Sequence, residues 1–338
     1  MEIKLCKKCG FIMGQRPCTK DDGEICLACR NIENKGKIDW ETRQKWLTEH
    51  IKEKHNSESN WDVIVGVSGG KDSYAIVRRL IENHQLSDNR ILLVNIEDEF
   101  TTSGAGAYNL DNLVKQYNTT LMRIRLAPNE FVRHAREDFF ESLNPLKWIE
   151  EKIYSLPLEI AKKFDVPMVI MGENPAFEYG ESQECAIFHP SSTDDHEMIY
   201  MGAIYPYSTD DSLKCATEKG FKTLNSFKDW KRQGGGDDFS QIDSYGYMVH
   251  LWLKFIKYGF QRVSDMACRF VREGKITRDM AIQMIKDHDW KCDPLAQEDF
   301  CKTLGITNVE FCDTVDRFAN KELLVKDALG NWRRRDLI

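Results

Sequence analysis

Residues 61–73, WDVIVGVSGGKDS, constrain the fold of this chain more than any other stretch. The stretch 61–67 reads as a strand buried on both faces, its run VIVGV at 63–67 having no polar alternation. A Gly-Gly turn follows, then a helical pattern from Ser73 to about Asn83. Gly69 and Gly70 lack Cβ, so the chain can turn sharply there and bring backbone N–H groups close to an anion. The next helix aims its unpaired N–H groups and partial positive charge at the same point. Ser68 and Ser73 add hydroxyl donors, Lys71 a mobile cation, and Asp72 a hard oxygen ligand for Mg2+ between phosphate oxygens. Many Gly-Gly turns only join strand to helix. Serines on both sides with Lys-Asp between them favour a phosphate cradle. The G-x-x-x-x-G-K-[ST] spacing is absent, which disfavours a kinase or motor-type ATPase.

Further apolar runs at 90–96, 119–126 and 166–171, with a helix expected at 108–117 and more helical material between, indicate an α/β fold. Its parallel sheet should carry helices on both faces. The loops after Ser68, Ile96 and Gly172 should share the rim where ligands collect. Residues 172–245 are irregular and read as active-site loops or an inserted lid. From 245 onward the pattern is helical, at 245–258, 262–273, 277–287, 294–304 and 308–319, with Thr277 and Asn308 as N-caps. The expected organisation is 1–35, 36–60 (a helix at 38–51 and a linker), 61–244 and a helical region 245–338.

The 338 residues are 41% hydrophobic and 30% charged, ordinary for a soluble protein. No apolar run is long enough to cross a bilayer, and the start lacks a signal-peptide core, so a cytoplasmic, membrane-free protein is expected. A net charge of −7 argues against wide contact with nucleic acid. In that compartment the eleven cysteines should be reduced. Cys6-x2-Cys9 and Cys26-x2-Cys29 have the spacing of two knuckles holding a tetrahedral Zn2+, a zinc ribbon within 1–35. An iron–sulfur cluster is the alternative. Four thiolates leave no vacant position, so the site should be architectural, with Cys18 a spectator. His189 and His196 around Asp194 and Asp195 lack a third firm ligand and read as a surface loop.

VSGGKDS at 67–73 resembles the PP-loop of the N-type ATP pyrophosphatases, which include asparagine and GMP synthetases and tRNA thiolation enzymes. The resemblance implies a PP-loop/HUP-like fold and splitting of ATP between the α and β phosphates. Ser68, Gly69, Gly70, Lys71, Asp72 and Ser73 would hold the pyrophosphate end, with Ile96, Glu97, Asp98 and Gly172 completing the nucleotide site.

Two families join a zinc ribbon to a PP-loop. The tRNA thiolases typically add CxxC pairs, and none follows Cys29 here. The N-acetyl sugar amidotransferases, WbpG- and PseA-like proteins of surface-glycan and nonulosonic acid synthesis, are similar nearly end to end. The shared segments include CLACR at 26–30, IDW at 38–40, MGENP at 171–175, EYG at 178–180 and KYGFQR at 257–262. That resemblance implies adenylation of an acetamido oxygen and its replacement by ammonia, giving an acetamidino group, AMP and pyrophosphate. Lys71 and Mg2+ would stabilise the departing pyrophosphate. Glu173 and Asn174 would orient the amide or the ammonia; a capped turn before Pro175 is the alternative. Glu178, Tyr179, Lys254, Lys257, Arg262 and Arg269 would face the sugar, the basic residues through its carboxylate or phosphate, unless they form a solvated helix face. No glutaminase nucleophile motif is present, so a separate glutaminase subunit or free ammonium would supply ammonia. A tRNA thiolase, and a nucleotide-binding protein without turnover, are the competing readings.

Overall fold

The structure is a computed structural model and describes residues 3–15, 23–178, 180 and 184–338. Cys18 and Tyr179 lie outside the described residues. Five parallel strands form the central sheet: β1 (Val63–Gly66), β2 (Ile91–Glu97), β3 (Thr120–Arg125), β4 (Met168–Met171) and β5 (Glu197–Tyr200). Their order is β3-β2-β1-β4-β5. The order of strand addition switches sides between β1 and β4, so a crevice opens beyond their carboxyl ends.

Alternation along the strands explains why helices cover both faces. Val63, Val65, Ile91, Leu93, Met168 and Ile170 face one apolar cluster. Ile64, Leu92, Val94, Val169 and Met198 face a second, completed by Leu158, Ile160 and Ala161. The helices are α1 (Leu27–Lys35), α2 (Trp40–Glu53), α3 (Lys71–Arg78), α4 (Gly104–Tyr117), α5 (Pro128–Ser142), α6 (Lys147–Phe164), α7 (Pro175–Glu178) and α8 (Thr209–Glu218). Five more follow: α9 (Tyr247–Tyr258), α10 (Arg262–Arg272), α11 (Arg278–His288), α12 (Pro294–Leu304) and α13 (Asn308–Phe318), then the hairpin β6 (Leu324–Lys326) and β7 (Trp332–Arg334).

Strands expected from apolar runs are present: β1, β3 and β4 are shorter than expected, and β2 keeps its length one residue later in the chain. β5, α1 and α8 are not announced by the sequence. β5 has only four residues, and its free edge is taken by residues 187–189, with His189 N donating to Met198 O at 2.8 Å and Tyr200 N to Ile187 O at 2.9 Å. Thr277 caps α11 as expected. Asn308 is not a cap: Thr307 holds that place in a reciprocal capping box with Glu310.

α4 starts four residues before the expected Tyr108. Its opening GAGA has weak helix propensity, and the start is fixed by the Ser103 hydroxyl, which accepts from Gly106 N at 2.9 Å. Residues 241–246 lie along this turn. Ser103 N donates to Asp243 O at 2.9 Å, Tyr245 N to Thr101 O at 3.0 Å, and the Ser103 hydroxyl to Ile242 O. Asp299 of α12 ties the two strands together, accepting from Thr101 N at 3.0 Å and Gly246 N at 3.1 Å. The C-terminal helices also pack on α5 through Phe139–Phe311 at 5.6 Å, and on the loop after β2 through Phe100–Phe300 at 5.7 Å.

A Cβ at Gly106 would sit 2.5 Å from Asp243 Cα. Gly106→Ala should gain up to ~1 kcal/mol of helix propensity but lose about 1–3 kcal/mol by overpacking two backbones. The expected net result is a lower urea midpoint at unchanged m-value. A raised midpoint would show that the two segments are not in contact.

Candidate active site

The Gly-Gly turn holds the geometry its sequence requires. Gly69 has φ +82, and a Cβ there would lie 2.9 Å from the Leu110 backbone. Ser73 Oγ accepts from Ser68 N and Ser68 Oγ from Gly70 N, both at 3.3 Å. α3 begins at Lys71 with no side-chain cap; Ser73 N turns back to Gly70 O at 3.0 Å, and the N–H groups of Lys71 and Asp72 remain for an anion. Lys71 is buried, and its Nζ donates to Asp72 Oδ2 at 2.6 Å and Tyr207 Oη at 3.1 Å. Burial opposes the charge on both partners, yet their mutual attraction holds the Lys71 pKa above and the Asp72 pKa below its ordinary value. Asp72 Oδ1 has no hydrogen-bond partner. It is a hard oxygen donor suited to Mg2+.

The turn opens on a recess of about 90 Å³, closed by Gly106, Asn109, residues 239–243 and Arg262. Beside it, sharing Ser68, Asp72, Asp243 and Arg262, runs a cleft of about 330 Å³. One wall is apolar, from Val94, Ile96, Ile149, Ile153, Pro157 and Met171, and suits a flat base. The other carries Asp98, Glu173, Glu178, Tyr247 and Arg269. Gly172 lies at the end of β4 on the same rim. Arg269 donates to Glu178 Oε2 at 2.8 Å and to Tyr207 Oη at 3.2 Å.

Three acids in the cleft have raised pKa values. Burial lifts Glu173 to about 7, with Glu178 and Asp72 adding to it, and Glu173 Oε2 has no partner. Burial and then Asp243 lift Asp98 to about 7, although Asp98 accepts from Ser244 Oγ and Phe100 N. Asp243 is itself raised by burial.

Several expected site residues point elsewhere. Glu97 alternates away from the cleft and pairs with Arg123 on β3 at 2.7 Å. Asn174 is buried as the cap of α7: its Oδ1 accepts from Phe177 N at 3.1 Å, and its amide donates to Gly202 O. The capped-turn alternative accounts for it. Lys257 donates to Ser142 O at 3.3 Å, and burial with Lys254 nearby lowers its pKa to about 8. Neither Lys254 nor Lys257 lines the cleft. His189 stacks on Tyr154 at 5.2 Å, and His196 Nδ1 lies 3.0 Å from Val166 O. Conversely, nothing in the sequence singles out Tyr207, Gln241, Asp243 or Tyr247. The positive φ of Gln241 (51) marks a turn that only the fold aims at the Gly-Gly turn.

The four expected cysteines converge, all Sγ atoms lying within 4.8 Å of one another. Cys6–Cys29 is 3.9 Å and Cys9–Cys26 3.8 Å. Tetrahedral bonds of about 2.3 Å to one ion separate sulfurs by about 3.8 Å, whereas a four-iron cluster puts each thiolate on its own iron, further apart. The donor set therefore fits a single ion. The module grips two parts of the cleft wall. Cys268 of α10 donates to Cys9 O at 3.3 Å, Arg278 to Cys6 O at 3.3 Å, and Asn31 to Ala176 O of α7 at 2.7 Å.

Residues 224–335 match the family profile described as LPS biosynthesis protein WbpG-like, C-terminal domain. The resemblance to WbpG-like proteins holds over that segment. The WbpG-like segment supplies Gln241, Asp243, Tyr247, Arg262 and Arg269 to the cleft. No curated protein matches the chain. Among solved structures, NH3-dependent NAD synthetase from Campylobacter jejuni aligns at 16% identity over 78% of this chain and 96% of its own, with TM-score 0.35. U34-tRNA thiolase NcsA from Methanococcus maripaludis, solved with its [4Fe-4S] cluster, aligns at 14% identity over 94% and 98%, with TM-score 0.36. Likeness at this level says nothing about the reaction of this chain. Among the described residues, no helix is long and apolar enough to cross a membrane.

Elemental analysis of the purified chain should find one metal ion per chain. Cys26→Ser should lose that ion and expose α1 to limited proteolysis. Retention of full metal content by the variant would remove Cys26 from the ligand set.

Proposed function

We propose that the chain is an ATP-dependent amidotransferase that converts the acetamido group of a surface-glycan sugar to an acetamidino group. One observation carries this reading: Ser68, Asp72 and Ser73 of the uncapped turn before α3 line the same cleft as Gln241, Asp243, Tyr247, Arg262 and Arg269 of the WbpG-like segment. ATP would lay its base on the apolar wall and its pyrophosphate end in the recess. Lys71, drawn off Asp72, would neutralise the leaving pyrophosphate, since oriented charge in a dry site is the strongest aid to such a step. Asp72 would hold Mg2+, which supplies charge neutralisation at the phosphate oxygens when bound. The amide oxygen attacks the α-phosphorus and pyrophosphate leaves. Ammonia then adds to the imidate carbon, and AMP departs with the oxygen. Glu173, poised and unpartnered, would take the proton shed by the attacking nitrogen. Arg262 and Arg269 would bind an anionic group of the sugar or its nucleotide.

In this reading residues 1–35 are a structural zinc module, 36–60 a helix and linker, 61–244 the ATP pyrophosphatase domain, and 245–338 the helical acceptor region. A separate glutaminase subunit delivers ammonia in the cytoplasm.

Incubation with ATP, Mg2+, ammonium and an acetamido sugar should yield AMP, pyrophosphate and a product in which one oxygen has become NH. Formation of ADP and orthophosphate would overturn the reading. Lys71→Ala should lower kcat by ~10²–10³, the usual loss of one preorganised electrostatic contact, with the fold retained by circular dichroism. At fixed free ammonia, wild-type kcat/KM should rise through pH about 7 as Glu173 ionises and then level off. Glu173→Gln should abolish that limb; its survival would assign it to Asp98 or another group.

A further inference from the structure

Tyr207 lies between the turn Met201–Ala203 and α8, in a stretch whose sequence carries no motif. Its hydroxyl oxygen accepts from Lys71 Nζ at 3.1 Å and from Arg269 Nη1 at 3.2 Å. Its ring centroid is 5.6 Å from Lys71 Nζ and 5.1 Å from the Arg269 guanidinium. Its own carbonyl is held by Lys35 Nζ of α1 at 2.6 Å. Two cations from elements far apart in the chain are thus brought to one neutral oxygen. At that separation they repel, and each has a carboxylate that pulls it outward: Asp72 on Lys71 and Glu178 on Arg269. Lys71 lines the recess of the Gly-Gly turn, and Arg269 lines the larger cleft.

We propose that Tyr207 is a positioning residue whose hydroxyl couples Lys71, on the pyrophosphate side, to Arg269, on the acceptor side. This rests on the amidotransferase reading only in requiring that the recess take a pyrophosphate group. A neutral hydroxyl is a weaker partner for an ammonium than a phosphate oxygen is. An incoming anion that draws Lys71 off Asp72 still leaves the ammonium a donor for the hydroxyl, and that shared bond limits how far the side chain can swing. Arg269 is held in register by the same atom, so a disturbance of either cation reaches the other. Tyr207→Phe deletes only that shared acceptor. It keeps the ring beside both cations and nearly the same volume, so packing should survive.

The test is a double-mutant cycle on binding of inorganic pyrophosphate with Mg2+ to the full chain, followed by calorimetry. Tyr207→Phe should weaken binding about tenfold, the scale of one hydrogen bond to a charged group. Arg269→Lys keeps the positive charge but not the fork that spans Tyr207 and Glu178. It should weaken pyrophosphate binding several-fold in the native background and leave the Tyr207→Phe protein unchanged. Equal effects of Arg269→Lys in both backgrounds, or none in either, would refute the coupling while leaving the amidotransferase reading intact. If the native chain binds no pyrophosphate, both fall. Thermal unfolding of each variant guards against loss of fold. A Tyr207→Phe protein that melts with the native chain yet binds pyrophosphate equally well also refutes the role.

Discussion

The backbone of residues 241–246 lies directly against residues 101–106, and the cleft beside the Gly-Gly turn depends on that contact. It is possible because Gly106 presents no side chain and because Ser103 satisfies helix and neighbour together, capping α4 with one oxygen while donating to Ile242 O. Two backbones this close must satisfy one another's polar groups, since little water can enter. Asp299 completes the arrangement from a third element. The result carries Gln241 and Asp243, from a segment otherwise outside the sheet, to within reach of the Gly-Gly turn.

The cysteine module acts on the same cleft from the other side. Its knuckle residue Cys9 receives a thiol hydrogen bond from α10, and its helix α1 holds α7 through Asn31. α10 carries Arg262 and Arg269, and α7 carries Glu178. A metal-braced module thereby sets the spacing between the two halves of an ion pair, Arg269–Glu178, without approaching the phosphate recess.

How much of this the sequence revealed depends on the range of the forces involved. The β1–turn–α3 unit was legible because local chemistry dictates it: an apolar run, two glycines and a helix start. The cysteine spacing was legible for the same reason, since four thiolates within thirty residues have few other uses. The C-terminal helices followed from periodicity, to within two residues at most ends. β5 was not legible, because four residues owe their strand state to a neighbour, β4, far back in the chain. Asn174 and Glu173 are adjacent in sequence, yet one caps α7 and the other faces the cleft. That division depends on a single rotation of the backbone, which no residue type announces. Tyr207 and Asp243 matter only through what lies across from them.

The outermost strand shows a different economy. β3 has no partner strand on its free side among the described residues, and such an edge invites pairing with foreign chains. Arg123 and Arg125 stand on it, locked to Glu97 and Glu99 of the neighbouring segment. Charged rungs of this kind would be left desolvated and mismatched by any strand that docked there. Glu97, one residue before a cleft acid, is thus committed to this charged flank rather than to the cleft, and a flank so charged is a poor template for a foreign strand.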